Sequence, residues 1–148
     1  MKNLMQEVKA ISALDAVVLS ATTNGLVIDT QGYESLVFTI NVGDFVTFDG
    51  TNKLTFTVQE GDQSNLSDAA EIAAGAYLDA RNEAGAAWDK ILDGATDDEQ
   101  AYMIGVEVRT KRYLRIVVTE GGIVSVPISA TAVLGHARHQ PAGVTQTP

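Results

Sequence analysis

Residues 101–120, AYMIGVEVRTKRYLRIVVTE, constrain the fold of this chain more than any other segment. Two runs, 102–108 and 113–119, alternate apolar with other side chains and are rich in β-branched and aromatic residues. Strand side chains point alternately to opposite faces, so this period predicts two β-strands that each have one apolar face. Because only a short basic connection separates the runs, the pattern predicts a β-hairpin at the centre of an antiparallel sheet.

The same alternation marks further strands along the chain. It is clearest in residues 35–42 and 53–60, and weaker in 15–21, 26–29 and 125–134. The Asn24-Gly25 pair between two of these runs is a strong hairpin-turn signal, because both residues tolerate a positive φ. Short strands at this spacing predict a mainly β protein, either an antiparallel β-sandwich or a small barrel.

The Ala-rich, acidic segment 64–94 interrupts the strand pattern. Its alanines favour helix, and Ser67 or Asp68 with Glu71 resembles a helix N-terminus, whereas its glycines favour a loop with short strands. We favour the loop with short elements, inserted into a β domain that spans residues 15–134. Residues 1–14 are predicted to form an N-terminal arm or short helix, and residues 135–148 an extended C-terminal tail.

Composition excludes several classes of function. The chain has 148 residues, a net charge of −9 and no cysteine, which favours one domain without disulfides or thiolate metal sites. An acidic chain lacks the basic surface that nucleic acid and anionic membranes attract, so neither is an expected partner. No run approaches the ~18 apolar residues of a spanning helix. We expect a protein that folds in the cytoplasm of its producing cell.

Motifs for catalysis are missing from the sequence. It contains no Gly-x-Ser-x-Gly elbow, no phosphate-binding Gly-rich loop and no His-Glu-x-x-His. His136 and His139 are spaced i, i+3, but a metal site needs further ligands and none lies nearby in sequence. We therefore predict no catalytic residue, no cofactor and no metal, and we expect a protein that is not an enzyme. Trp88, the single tryptophan, is expected to cover one end of the core rather than to bind a ligand.

Basic residues cluster around the predicted hairpin, which inverts the sign of the chain's charge locally. One interpretation is ordinary surface charge that complements the acidic loops of the same molecule. The other is a contact surface that docks onto an acidic patch of a neighbouring subunit, a task that suits the planar guanidinium of arginine. The candidate subunit-interface residues are Arg109, Lys111, Arg112, Arg115, His136, Arg138 and His139.

Two segments of the chain are distinctive: 102–118, with its core KRYLR at 111–115, and the closing AVLGHARH at 132–139. They resemble small virion proteins of tailed bacteriophages and prophages, which are encoded close to the major capsid protein. Segments 16–20 and 30–35, the latter reading TQGYES, fit the same pattern.

The resemblance implies a structural role in the virion: a capsid decoration, or cement, protein that binds the major capsid protein and itself, commonly as a trimer. It implies no catalytic residues, and a protein that is made in the cytoplasm of the host bacterium. A head–tail connector or tail component that forms a ring is the first alternative. A β-sandwich that binds carbohydrate or a host surface is the second, and it would require an exposed aromatic platform.

Overall fold

A computed structural model describes residues 4, 7–45, 48–108, 111–122 and 125–138. Within these residues the chain forms eleven strands, all of whose pairings are antiparallel. The strands are β1 (Lys9–Leu19), β2 (Thr23–Asn24), β3 (Ile28–Asp29), β4 (Tyr33–Val42), β5 (Lys53–Gly61), β6 (Ala70–Glu71), β7 (Tyr77–Asn82), β8 (Ile91–Leu92), β9 (Ala101–Glu107), β10 (Tyr113–Gly121) and β11 (Val126–Ala137), with one 3-10 turn at Ala74–Ala76.

The strands are arranged in two sheets. Sheet A has the order β1-β11-β4-β9-β7. Sheet B has the order β2-β10-β5-β6, with β3 also paired to β10 and β8 also paired to β5. Neighbours in each sheet are mostly distant in sequence, so the long strands are held by non-local pairing. Neither sheet closes on itself among the described strands.

One hydrophobic core lies between the two sheets. Alternate side chains of the long strands are buried, and they come from both sheets. The inward residues include Leu36, Phe38, Ile40, Tyr102, Ile104, Val106, Ala132 and Leu134 from sheet A, and Leu54, Phe56, Val58, Leu114, Ile116 and Val118 from sheet B. The predicted fold class is therefore confirmed as an antiparallel β-sandwich, and the barrel alternative is not observed.

The predicted central hairpin is wrong. Residues 101–107 and 113–121 are strands, but β9 lies in sheet A between β4 and β7, whereas β10 lies in sheet B against β5. The basic connection therefore crosses from one sheet to the other instead of reversing the chain within a sheet. Alternation identifies a strand and its apolar face, but it cannot identify the strand's partner.

The Asn24-Gly25 hairpin is also wrong. Both β2 and β3 pair with β10, so the chain continues along the same neighbour instead of turning back. Gly25 is needed here for close approach: a Cβ at this position would lie 2.5 Å from the carbonyl oxygen of Ala13 and 2.8 Å from that of Ile116. The absence of a side chain, rather than a positive φ, explains the glycine.

Segment 64–94 consists of loops and short elements, as we favoured. It contains β6, the 3-10 turn, β7 and β8, and it has no α-helix among these fully described residues. At the ends of the chain, β1 begins at Lys9 and β11 continues to Ala137. Both boundaries that the sequence suggested, at residues 14 and 135, thus fall inside strands.

Candidate interaction surface

A shallow depression of about 200 Å³ lies at one end of the sandwich. It forms where the turn before β4, the connection between β9 and β10 and the end of β11 come together. Three of the predicted interface residues, Lys111, Arg112 and Arg138, line it together with Val108 and the turn residues Thr30, Gln31, Gly32 and Tyr33. We call this surface the basic depression.

The turn at residues 30–33 fixes one wall of the basic depression. The amide of Tyr33 donates to the carbonyl of Thr30 at 3.0 Å, and Gly32 has a φ of +89°, the conformation that a type II turn requires at its third residue. Thr30 is buried, and both its amide and its hydroxyl donate to the carbonyl of Arg112, at 3.0 and 2.7 Å. These bonds fix the backbone of the β9–β10 connection against the turn.

The side chain of Arg112 is held by a bidentate ion pair. Its Nε and Nη2 donate to the two carboxylate oxygens of Asp29, at 2.8 and 2.7 Å. These hydrogen bonds lower the pKa of Asp29, and the amide of Gln31 contributes through a further bond of 3.0 Å. The guanidinium also lies 5.1 Å from the ring centre of Tyr113, within the range of a cation–π contact.

The other two cations are paired as well. Lys111 donates to Asp62, and this contact raises the pKa of the lysine. Arg138 lies 3.6 Å from a carboxylate oxygen of Glu34. Two of the four cations that the sequence concentrates at 109–115, Lys111 and Arg112, are therefore paired with carboxylates of the same molecule, which is the arrangement that the first interpretation describes.

The ion pairs of the basic depression are exposed, so another molecule can replace their carboxylate partners. The paired side chains of the basic depression are 39–63% exposed. Exposed ion pairs typically stabilise a fold by only about 0–1 kcal/mol, because water screens them and the side chains lose freedom. A carboxylate on another molecule can therefore replace the internal partner at small cost, so the depression can act as a docking point for an acidic surface.

The remaining predicted interface residues are not part of this depression. Arg115 lies on the outer face of sheet B, where its Nε and Nη2 donate to Oε1 of Gln59 at 2.9 and 2.7 Å. His136 is exposed, has a φ of +51° and places Nδ1 2.8 Å from the hydroxyl of Ser35. Arg109 and His139 lie outside the described residues.

Sequence reasoning missed the carboxylates and the turn that complete the site. Asp29 and Asp62 are 83 and 49 positions from their cationic partners, and neither stands in a recognisable motif. The only sequence signal for the turn was Gln31-Gly32, which marks a break between strands. Strand pairing across sheet B, which places Tyr113 opposite Asp29 and opposite Gly61, brings these parts of the chain together.

Trp88 packs against the core, as expected. Its ring lies 4.4 Å from that of Tyr102 and 5.5 Å from that of Phe56, measured between centroids, and its Nε1 donates to the carbonyl of Ile91 at 3.0 Å. Among the residues that the structure describes, no cluster of three or more histidine, aspartate or glutamate side chains is arranged to hold a metal ion. The described part of the chain also contains no helix of the length and apolarity that a bilayer crossing requires.

The sequence matches no protein-family model, and no curated protein is significantly similar to it. Among solved structures, the fold is similar to that of the SPBc2 prophage-derived protein YomS, known from a crystal structure. The two chains share 10% identity, the match covers 88% of this chain and 94% of that one, and the TM-score is 0.48. A likeness this weak carries no argument about function.

Proposed function

We propose that this chain is a structural virion protein of a tailed phage, a capsid decoration protein that binds the lattice of the major capsid protein and stabilises the head. In this role it associates with capsid subunits and with itself, and it makes and breaks no covalent bond. Two findings support the proposal: the resemblance of segments 102–118 and 132–139 to small virion proteins, and the convergence of three cations on the basic depression.

The convergence carries the physical part of the proposal. Lys111 and Arg112 precede β10 in sheet B, whereas Arg138 follows β11 in sheet A, so the fold gathers charge from both sheets at one end of the sandwich. On a chain of net charge −9, this gathering of cations lowers the repulsion that an acidic neighbour meets at this end. The neighbour's carboxylates would compete with Asp62 and Glu34 for Lys111 and Arg138.

The alternative of a connector or tail ring uses the same surface, with a neighbouring copy in place of the capsid. The carbohydrate-binding alternative receives less support. It needs an exposed aromatic platform, whereas the ring of Trp88 packs against that of Tyr102 and its indole N–H donates to the carbonyl of Ile91.

The decisive experiment adds purified protein to phage heads that lack it, taken from a deletion mutant of the phage that encodes it. Decoration predicts saturable binding at sites between capsomers, visible by cryo-electron microscopy, and heads that survive higher temperature. Rings of fixed number in the absence of heads would instead favour the connector role.

Variants test whether the basic depression makes the contact. We expect Lys111→Gln combined with Arg138→Gln to weaken head binding about tenfold or more, because two docking charges are lost. Lys53→Gln is a control for the loss of a positive charge elsewhere: it removes one charge at the opposite end of β5, where Lys53 pairs with Gly121. Arg112 is left unchanged, because its bond to Asp29 also supports the fold. Equal binding by the double variant and the control would contradict the proposed contact.

A further inference from the structure

The central part of the outer face of sheet A carries no charge. Along its three central strands, β11, β4 and β9, the outward side chains are small, polar or apolar except at one end, where Glu34 and Glu107 lie. On the border strand β1, Lys9 and Asp15 are exposed. At the β7 border, Asp79 and Arg81 neutralise each other through a bond of 2.6 Å. A solvated antiparallel sheet usually presents a polar face, and charges are common on the surface of a soluble protein.

The same face carries grooves and exposed apolar side chains. A groove of about 440 Å³ crosses one end of β1, β11 and β4 and is lined mostly by apolar residues, Val17, Val18 and Pro127 among them. Val18 is 58% exposed and Met103 is 36% exposed. A smaller groove of about 160 Å³ lies beside Met103 and Val37. Side chains of a second molecule could fill these grooves and remove the apolar surface from water.

We propose that this face packs against the same face of a second copy of the chain. Charge favours this occupant: each copy carries −9, so much of its surface would bring like charges together, whereas the central strands of sheet A oppose almost none. Face-to-face packing of two sheets is a standard arrangement, with the sheets about 10 Å apart.

The area of the face is sufficient for such a contact. Five strands at about 4.8 Å spacing span roughly 24 Å, and about nine residues at roughly 3.3 Å each span about 30 Å. The product is roughly 700 Å² per copy, close to the ~800 Å² per partner of a typical specific interface. Because the contact is pairwise and self-complementary, it predicts a two-fold dimer, or an even-numbered assembly of dimers, in isolated protein.

A matched pair of variants tests this face. Thr131→Glu places a carboxylate at its centre, where Thr131 pairs with Ser12 on one side and Thr39 on the other. Thr57→Glu makes the same change at the half-buried outward position of β5 in sheet B, where Thr57 pairs with Val117. The oligomeric state of each purified protein is measured by sedimentation velocity over a range of concentrations, and circular dichroism checks that each variant is folded.

We expect the unmodified chain and Thr57→Glu to form the dimer, and Thr131→Glu to dissociate at least tenfold more readily, because two copies then oppose carboxylates. Monomeric unmodified protein at high micromolar concentration would overturn the inference. So would a trimer or a ring that Thr131→Glu leaves intact. The experiment contains no phage heads, so its outcome is independent of the proposed decoration role.

Discussion

Gly25→Ala is expected to destabilise the fold strongly, although it adds a single methyl group. Gly25 is buried where the chain passes between β1 of sheet A and β10 of sheet B. The new Cβ would lie 2.5 Å from the carbonyl oxygen of Ala13 and 2.8 Å from both the carbonyl oxygen and Cγ2 of Ile116. Two of these three atoms belong to the backbone, so a side-chain rotation cannot relieve the contact.

The same two oxygens accept hydrogen bonds from this segment. The amide of Gly25 donates to Ile116 and the amide of Leu26 donates to Ala13, both at 2.7 Å. Any shift that relieves the clash therefore lengthens these bonds. Overpacking costs about 1–3 kcal/mol, and each weakened hydrogen bond removes up to about 0.5–1.5 kcal/mol, so we expect a loss of about 2–4 kcal/mol.

Urea denaturation followed by circular dichroism measures this loss. With an m-value of about 2 kcal/mol/M, the midpoint should fall by roughly 1–2 M while the slope stays the same. Gly50→Ala is the control, because Gly50 is exposed and nothing lies within 4 Å of its added Cβ. Its stability should change by less than about 1 kcal/mol. Equal midpoints for the two variants would refute the steric reasoning.

Three further predictions concern packing and charge. Trp88→Ala should cost about 2–3 kcal/mol in urea denaturation, because a partly buried ring contact and one hydrogen bond are lost, whereas Trp88→Phe should cost about 1 kcal/mol. Asp29→Asn should cost up to about 1 kcal/mol near neutral pH, since the bidentate pair with Arg112 is lost, and a variant as stable as the unmodified chain would contradict this. The pKa of Asp29 is lowered in the folded state. The contribution of its carboxylate to folding stability is therefore complete above the unfolded pKa of about 4 and is lost as the pH falls through the lower folded value. Urea midpoints should decline more steeply below about pH 4 in the unmodified chain than in Asp29→Asn.

The sequence predicts strands well because alternation is a local property. Phe38, Phe56, Ile104 and Ile116 lie at the centres of the four clearest runs, and all four are buried. This result does not depend on which strands are neighbours, since any partner within the sheet leaves the same residues facing inward. The mainly β class follows from the same pattern, which left an antiparallel β-sandwich and a small barrel both open.

Strand partners depend on the whole chain, and there the prediction failed. The connection between β9 and β10 looked like a hairpin because the two runs are adjacent in sequence, yet β9 pairs with β4 and β10 pairs with β5. The connection carries no Gly or Asn that would specify a tight turn, which is the one local signal against a hairpin. Asn24-Gly25 has the residues of a tight turn, yet no hairpin forms there. Its glycine is needed because two carbonyl groups lie where a side chain would be.

The distribution of charge on the surface also depends on strand pairing, which the sequence does not reveal. Four of the ten basic residues lie within 109–115, which in sequence is an isolated positive patch on an acidic chain. Pairing of β10 with β3 and β5 places Asp29 and Asp62 beside that patch and neutralises much of it. The uncharged centre of the outer face of sheet A arises the other way. Its outward positions are scattered over 35–41, 101–105 and 129–135, and none of these runs is long enough for the lack of charge to be noticed in the sequence. A surface suited to assembly can therefore be invisible as a motif, because strand order, rather than sequence proximity, decides which outward residues share a face.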